Sequence, residues 1–238
     1  MNMESNGVLA ILVAALAGAL CAWPLARVAR EMPSALLREW SHEPESVPQA
    51  EPLRGLPLGL FTLGCVALPA FAVARHSQGL EAFCMGALAC CLWLLAWIDL
   101  ETRLLPDRLT LGLLWAGLLV NLGGAFAPLD DAVLGAAVGY SSLFLLNAGY
   151  RLFRGHDGMG AGDFKLLAAL GAWFGVASLP AVLVIAACSG LVVGVGLLLS
   201  GRREPGEAIA FGPHLCLGAA VLIYARGRVE SLLGLLVP

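Results

Sequence analysis

Eight apolar stretches, near 8–26, 56–74, 82–98, 109–127, 132–150, 164–177, 178–200 and 212–225, fill most of this 238-residue chain. A bilayer's hydrocarbon core, roughly 30 Å thick, is crossed by about 20 mostly apolar residues of helix. Irregular backbone and open sheet edges cannot face lipid there. The ten-residue alternation of a membrane β-barrel is not found in the sequence. The fold predicted is therefore all-α, a polytopic transmembrane bundle of about eight helices. Composition agrees: 13% of residues are charged and mean hydropathy is +0.84, whereas ordinary soluble domains carry about 25% charged residues.

The leader Met1–Gly7 contains Glu4 and neither Lys nor Arg. It lacks the basic segment of a cleaved signal peptide, so the first stretch is expected to stay as a helix. With the N-terminus outside, the inner loops receive Arg27, Arg30, Arg38, Arg54, Arg103, Arg108, Arg151, Arg154, Lys165, Arg202 and Arg203. The outer ones receive Arg75, Arg226 and Arg228. Eleven against three is the asymmetry expected when basic loops stay cytoplasmic. A net charge of −3 marks no nucleic-acid partner, and the lipid bilayer is the surrounding expected.

Residues 1–238 read as one integral-membrane unit with a single long polar segment at 27–54. That segment holds five glutamates, four arginines and four prolines. Within it, Pro33–Trp40 is expected to form a short surface helix, while Ser41–Pro52 has too little apolar content to build a core. The seven cysteines lie in apolar stretches without a CxxC pair and read as packing thiols. Gly135/Gly139, Gly171/Gly175 and Gly190/Gly194 are small-residue pairs at four-residue spacing, which lets helices approach closely.

Two acids stand where such a chain least tolerates them. Asp99 ends the run Ala82–Ile98, where a carboxylate opposes the helix dipole. Asp163 closes the string Gly158-Met159-Gly160-Ala161-Gly162-Asp163 ahead of another apolar run. Ionisable groups in transmembrane segments are costly and default to a functional reading. Glycines permit positive φ and close approach of another backbone, as an extended peptide in a cleft requires. Asp107, after Pro106, reads as a helix N-cap, and His156 and Asp157 as solvated loop residues. Two neighbouring carboxylates share one proton. The charged one can activate water for attack on a peptide carbonyl, and the protonated one can assist the leaving amine. The same pair also suits a proton relay in a membrane transporter.

The wording of three segments goes further. Ile98-Asp99 with Leu105-Pro106-Asp107-Arg108-Leu109-Thr110 and then Leu113–Asn121, the string Gly158–Trp173, and Ile209-Ala210-Phe211-Gly212-Pro213-His214-Leu215 together resemble the type IV prepilin peptidases. These are bacterial inner-membrane aspartic peptidases of the GxGD type. The resemblance covers roughly residues 85–220 and implies a catalytic core at 82–220. It implies that Asp99 and Asp163 are the catalytic pair, that Gly160 and Gly162 shape the loop, and that Asp107 and Lys165 support it. The substrates implied are prepilins or type II secretion pseudopilins, which lose a basic leader at the cytoplasmic face. Many members also hold zinc on two CxxC pairs in the first cytoplasmic loop and methylate the new N-terminus with S-adenosylmethionine. The loop 27–54 here has no cysteine, so no zinc is expected, and S-adenosylmethionine only if methyl transfer is retained. The alternatives are a proton-coupled transporter, an inactive member of the family, or another GxGD protease of the preflagellin-peptidase or presenilin-like kind.

Overall fold

The structure, a computed structural model, describes residues 11–16, 18–20, 22, 25–28, 56–75, 80–201 and 209–236. The expectations for the polar loop, its surface helix included, fall outside these residues except at 27 and 28. Among the described residues the regular structure is helical: α1 (Ile11–Leu20), α2 (Leu56–Arg75), α3 (Leu80–Thr102), α4 (Asp107–Val120), α5 (Leu129–Arg154), α6 (Ala161–Phe174), α7 (Leu179–Leu199) and α8 (Gly212–Leu236). Short 3-10 turns occur at Asn121–Gly123 and Val176–Ser178. Among the described residues three segments, Leu80–Thr102, Leu129–Arg154 and Val176–Leu199, are long and apolar enough to cross a membrane by length and composition. The chain divides into two compact units, Met1–Leu104 and Leu105–Pro238.

In the first unit α2 and α3 pack along each other. The Trp93 indole N–H donates to the Phe61 carbonyl at 3.1 Å, and the Trp97 ring meets Phe61 edge-on at 5.3 Å. Gly64 lies directly beneath the Trp93 ring, and Gly18 of α1 lies against the Cys65 carbonyl, so a methyl at either position would collide. The helix α3 ends on Arg103, whose φ of +56° is the one positive value at a non-glycine among the described residues. Its N–H closes the helix by donating to the Asp99 carbonyl at 2.8 Å.

The second unit is organised around α6. Every residue from Asp163 to Phe174 except Lys165 is buried, and a helix apolar on all sides belongs at the centre of a bundle. Helix α5 crosses it on glycines. A methyl at Gly139 would come within 2.7 Å of the Leu167 carbonyl oxygen, and those at Gly135 and Gly171 would strike each other's backbone. Helix α4 is fastened by the Trp173 indole, which donates to the Leu113 carbonyl at 2.8 Å with Gly117 beneath the ring. Asn121 uses its whole hydrogen-bonding capacity. Its amide donates to the carbonyls of Ala172 and Trp173 at 2.8 and 3.1 Å, and its oxygen accepts from Phe126 and Ala127 at 2.9 and 3.1 Å. Between α7 and α8, Gly218 lies under the Val182 carbonyl, and Ser189 meets His214 Nδ1 at 3.0 Å.

Two stretches end earlier than their hydropathy suggests. The run 109–127 stops being helical at Val120, because Asn121 turns the chain back onto itself, and α6 stops at Gly175 with φ +81°. At 14 residues each, α4 and α6 are about 21 Å long, short of the hydrocarbon thickness.

Candidate active site

Asp99 lies inside the last turn of α3, since the helix runs on through Thr102. It is 4% exposed, next to the fully buried Ile98. Its carboxylate sits at the negative end of the helix dipole, where that charge is disfavoured. It belongs to the first unit.

Asp163 is the third residue of α6 in the second unit and is 7% exposed. Here the dipole favours the anion. The N-cap position itself is taken by Gly160. The preceding glycines divide by function. Gly155, with φ +78°, closes α5 in the left-handed conformation that glycine adopts at least cost. Gly162 has ordinary backbone, but a methyl on it would sit 2.8 Å from Leu105 Cβ, so it is required by close packing. Gly160 has φ −75° and ψ 149°, and a methyl there would find its nearest neighbour at 4.0 Å. Neither positive φ nor crowding within this unit calls for a glycine at 160.

Asp107 is the first residue of α4, and Pro106 takes the N-cap position without a side-chain bond. The capping reading of Asp107 is therefore replaced. Its two carboxylate oxygens accept from Lys165 Nζ at 2.6 and 2.7 Å. The pair joins the first turns of α4 and α6, with the lysine a quarter exposed and the aspartate half exposed. An exposed pair of this kind contributes at most about 1 kcal/mol, so it orients more than it stabilises. Asp107, Lys165, Gly162 and Leu105 thus form one cluster at the start of α6.

The loop 155–160 folds back along α5. The amide of Asn147 donates to Asp157 at 2.9 Å, and its oxygen accepts from the backbone N–H groups of Gly158 and Met159 at 2.8 and 3.2 Å. Gly158 lies under the Tyr150 ring, where a methyl would be 2.9 Å from Cδ1. The same ring meets His156 edge-on at 5.6 Å. His156 and Asp157 are exposed, as their reading as loop residues requires. Beside the loop is a cavity of about 190 Å³, walled by Phe144, Ala148, Met159 and Phe164 and rimmed by Arg151 and Asp157. Those two charged groups stand 3.8 Å apart and are well exposed.

Asn147 was not among the residues singled out from sequence, and Asn121 entered only as the last residue of the string Leu113–Asn121. A signal existed: a lone amide in an apolar run is costly to bury unless it is hydrogen-bonded.

Residues 86–195 match the family model described as the Type IV leader peptidase family. Among curated proteins, the chain is 49% identical over 129 residues to "Prepilin leader peptidase/N-methyltransferase" of Aeromonas salmonicida, covering 54% of this chain and 44% of that protein. A protein of the same name from Burkholderia pseudomallei is 44% identical over 175 residues, or 74% of this chain and 57% of the relative. One from Pectobacterium carotovorum is 53% identical over 132 residues, or 55% and 47%. The chain thus spans about half the length of the curated relatives it matches. No solved structure matches it.

Proposed function

We propose, from the match of residues 86–195 to the Type IV leader peptidase family, that this chain is an aspartic endopeptidase of the inner membrane. It removes the basic leader from prepilins or type II secretion pseudopilins. The observation that carries this reading is the burial of the two acids. Among the described residues Asp99 and Asp163 are the two buried carboxylates, at 4% and 7% exposure, and both fall inside the matched segment. Burying a carboxyl group costs free energy that a purely structural role would avoid.

In the proposed reaction one of the two is ionised and takes a proton from a water molecule. The oxygen of that water attacks the scissile carbonyl. The other carboxyl, protonated, donates to the carbonyl oxygen and later helps the amine depart. Asp107 and Lys165 fix the start of α6 and hence Asp163. The basic-loop asymmetry supports an active site at the cytoplasmic face and an N-terminus outside. There the leader of a substrate whose apolar helix lies in the bilayer would be presented.

The proposal stops at proteolysis. The loop 27–54 offers no thiolate for the zinc site that the resemblance implies, so that site does not fit this chain.

The test is cleavage of a leader-bearing pseudopilin by the purified full chain in lipid. Asp99→Ala and Asp163→Ala are each expected to abolish product while leaving the protein folded. Undiminished cleavage by either variant would remove that residue from the mechanism. Proton flux in liposomes without cleavage would instead establish the transporter reading.

A further inference from the structure

We infer that Asn147 is a positioning residue for the loop that leads into α6, setting Asp163 through the backbone of Gly158 and Met159. This inference rests on the peptidase reading above and adds a residue that neither the motif nor the family match singles out. Helix α5 is apolar over most of its length, yet Asn147 is 9% exposed within it. A polar group is kept in such a place when its partners repay the desolvation.

Here the partners are all in one loop. Gly155 reverses the chain at the end of α5, and the loop returns about 12 Å along that helix to meet the amide. The oxygen accepts from two successive backbone N–H groups and the nitrogen donates to Asp157. Three bonds to three consecutive residues fix the position and the direction of the segment entering Gly160. Three residues later comes Asp163, already inside a rigid helix. The Tyr150 ring over Gly158 closes the other side. The loop therefore cannot slide along α5 without breaking the amide's bonds, and the first turn of α6 inherits that restraint.

Leader cleavage, folded fraction and amide exchange of the loop 155–160 are measured on the full chain in lipid, for wild type and three variants. Asn147→Leu keeps the volume but loses all three bonds. The expected result is a kcat about 100-fold lower, the size of effect that a misplacement of about 1 Å produces, with KM and folded fraction kept. Exchange at Gly158 and Met159 should quicken by about fivefold, the equilibrium weight of one typical net hydrogen bond. Asn147→Asp faces Asp157 with a second carboxylate and should also lose kcat. The exchange of roles in Asn147→Asp/Asp157→Asn restores a donor opposite an acceptor and should recover most of it.

Wild-type kcat in Asn147→Leu, unchanged loop exchange, a kcat loss matched by lost folded protein, or no recovery in the exchanged pair would each overturn the inference. Absence of cleavage by the wild-type chain would overturn the peptidase reading and the positioning role together. A cleaving enzyme indifferent to Asn147→Leu overturns the positioning role alone.

Discussion

Replacing Gly135 by Ala tests the packing that holds α6 in place. The added methyl would lie 2.8 Å from the Gly171 carbonyl carbon, closer still to its oxygen, and 3.0 Å from the Gly175 carbonyl carbon. All three are backbone atoms, so no side chain can swing aside. Carbon–carbon contacts are comfortable at about 3.5–4.0 Å, so the helices must part by roughly half an ångström or more. Overpacking of a tight core costs about 1–3 kcal/mol, and the upper half of that range applies where backbone meets backbone. The better helix propensity of Ala returns up to about 1 kcal/mol. The net destabilisation is about 1–2 kcal/mol, or roughly 2–8 °C in the unfolding midpoint for a chain of this size. The control lies on the same helix: a methyl at Gly149 meets nothing within 4 Å, so Gly149→Ala should be neutral or slightly stabilising. Both variants are to be compared by thermal unfolding in one detergent. Equal midpoints for Gly135→Ala and Gly149→Ala would refute the reasoning.

Three further outcomes are expected. Asn121→Ala strands two backbone N–H groups and two carbonyls and should cost about 2–4 kcal/mol, readable in the same unfolding experiment; a loss under about 0.5 kcal/mol would mean that water replaces the amide. Arg103→Gly relieves the one left-handed non-glycine among the described residues and should stabilise by about 1 kcal/mol, whereas a destabilised variant would show that the arginine side chain outweighs its backbone cost. Lys165→Gln, removing the pair with Asp107, should change stability by no more than about 1 kcal/mol while lowering leader cleavage; unchanged cleavage would confine the pair to a surface role.

The long helices were legible because α3, α5 and α7 are carried by apolar runs that no soluble fold would expose. The glycine pairs were partly legible. Gly135, Gly139 and Gly171 do bring two helices together, but Gly175 ends its helix at a positive φ. A methyl at Gly190 would find only the His214 ring at ordinary contact, and one at Gly194 the tip of Ile209, so that pair admits side chains rather than another backbone. Spacing cannot separate these roles, since each depends on what lies opposite.

The lengths of α4 and α6 were hidden for a related reason. The turn Leu122–Ala127 is itself apolar, so hydropathy runs straight through it. Of the candidate site, the Asp107 carboxylate looked like a cap because sequence shows its place after Pro106 and not Lys165, 58 positions away. The roles of the amides Asn121 and Asn147 are not legible in the sequence because their partners are backbone groups of distant or reversed segments, although a neutral amide buried among apolar groups asks for partners as an ionisable group does.

The enclosure of α6 has a kinetic meaning. A rod gripped on every side by interlocked neighbours has no soft direction, and the acid at its tip behaves as a fixed post. Whatever yielding the proposed cleavage of a polypeptide demands must then be supplied by softer parts of the molecule. Turnover should accordingly respond to changes in loops and in the bilayer far more than to gentle substitutions along that rod.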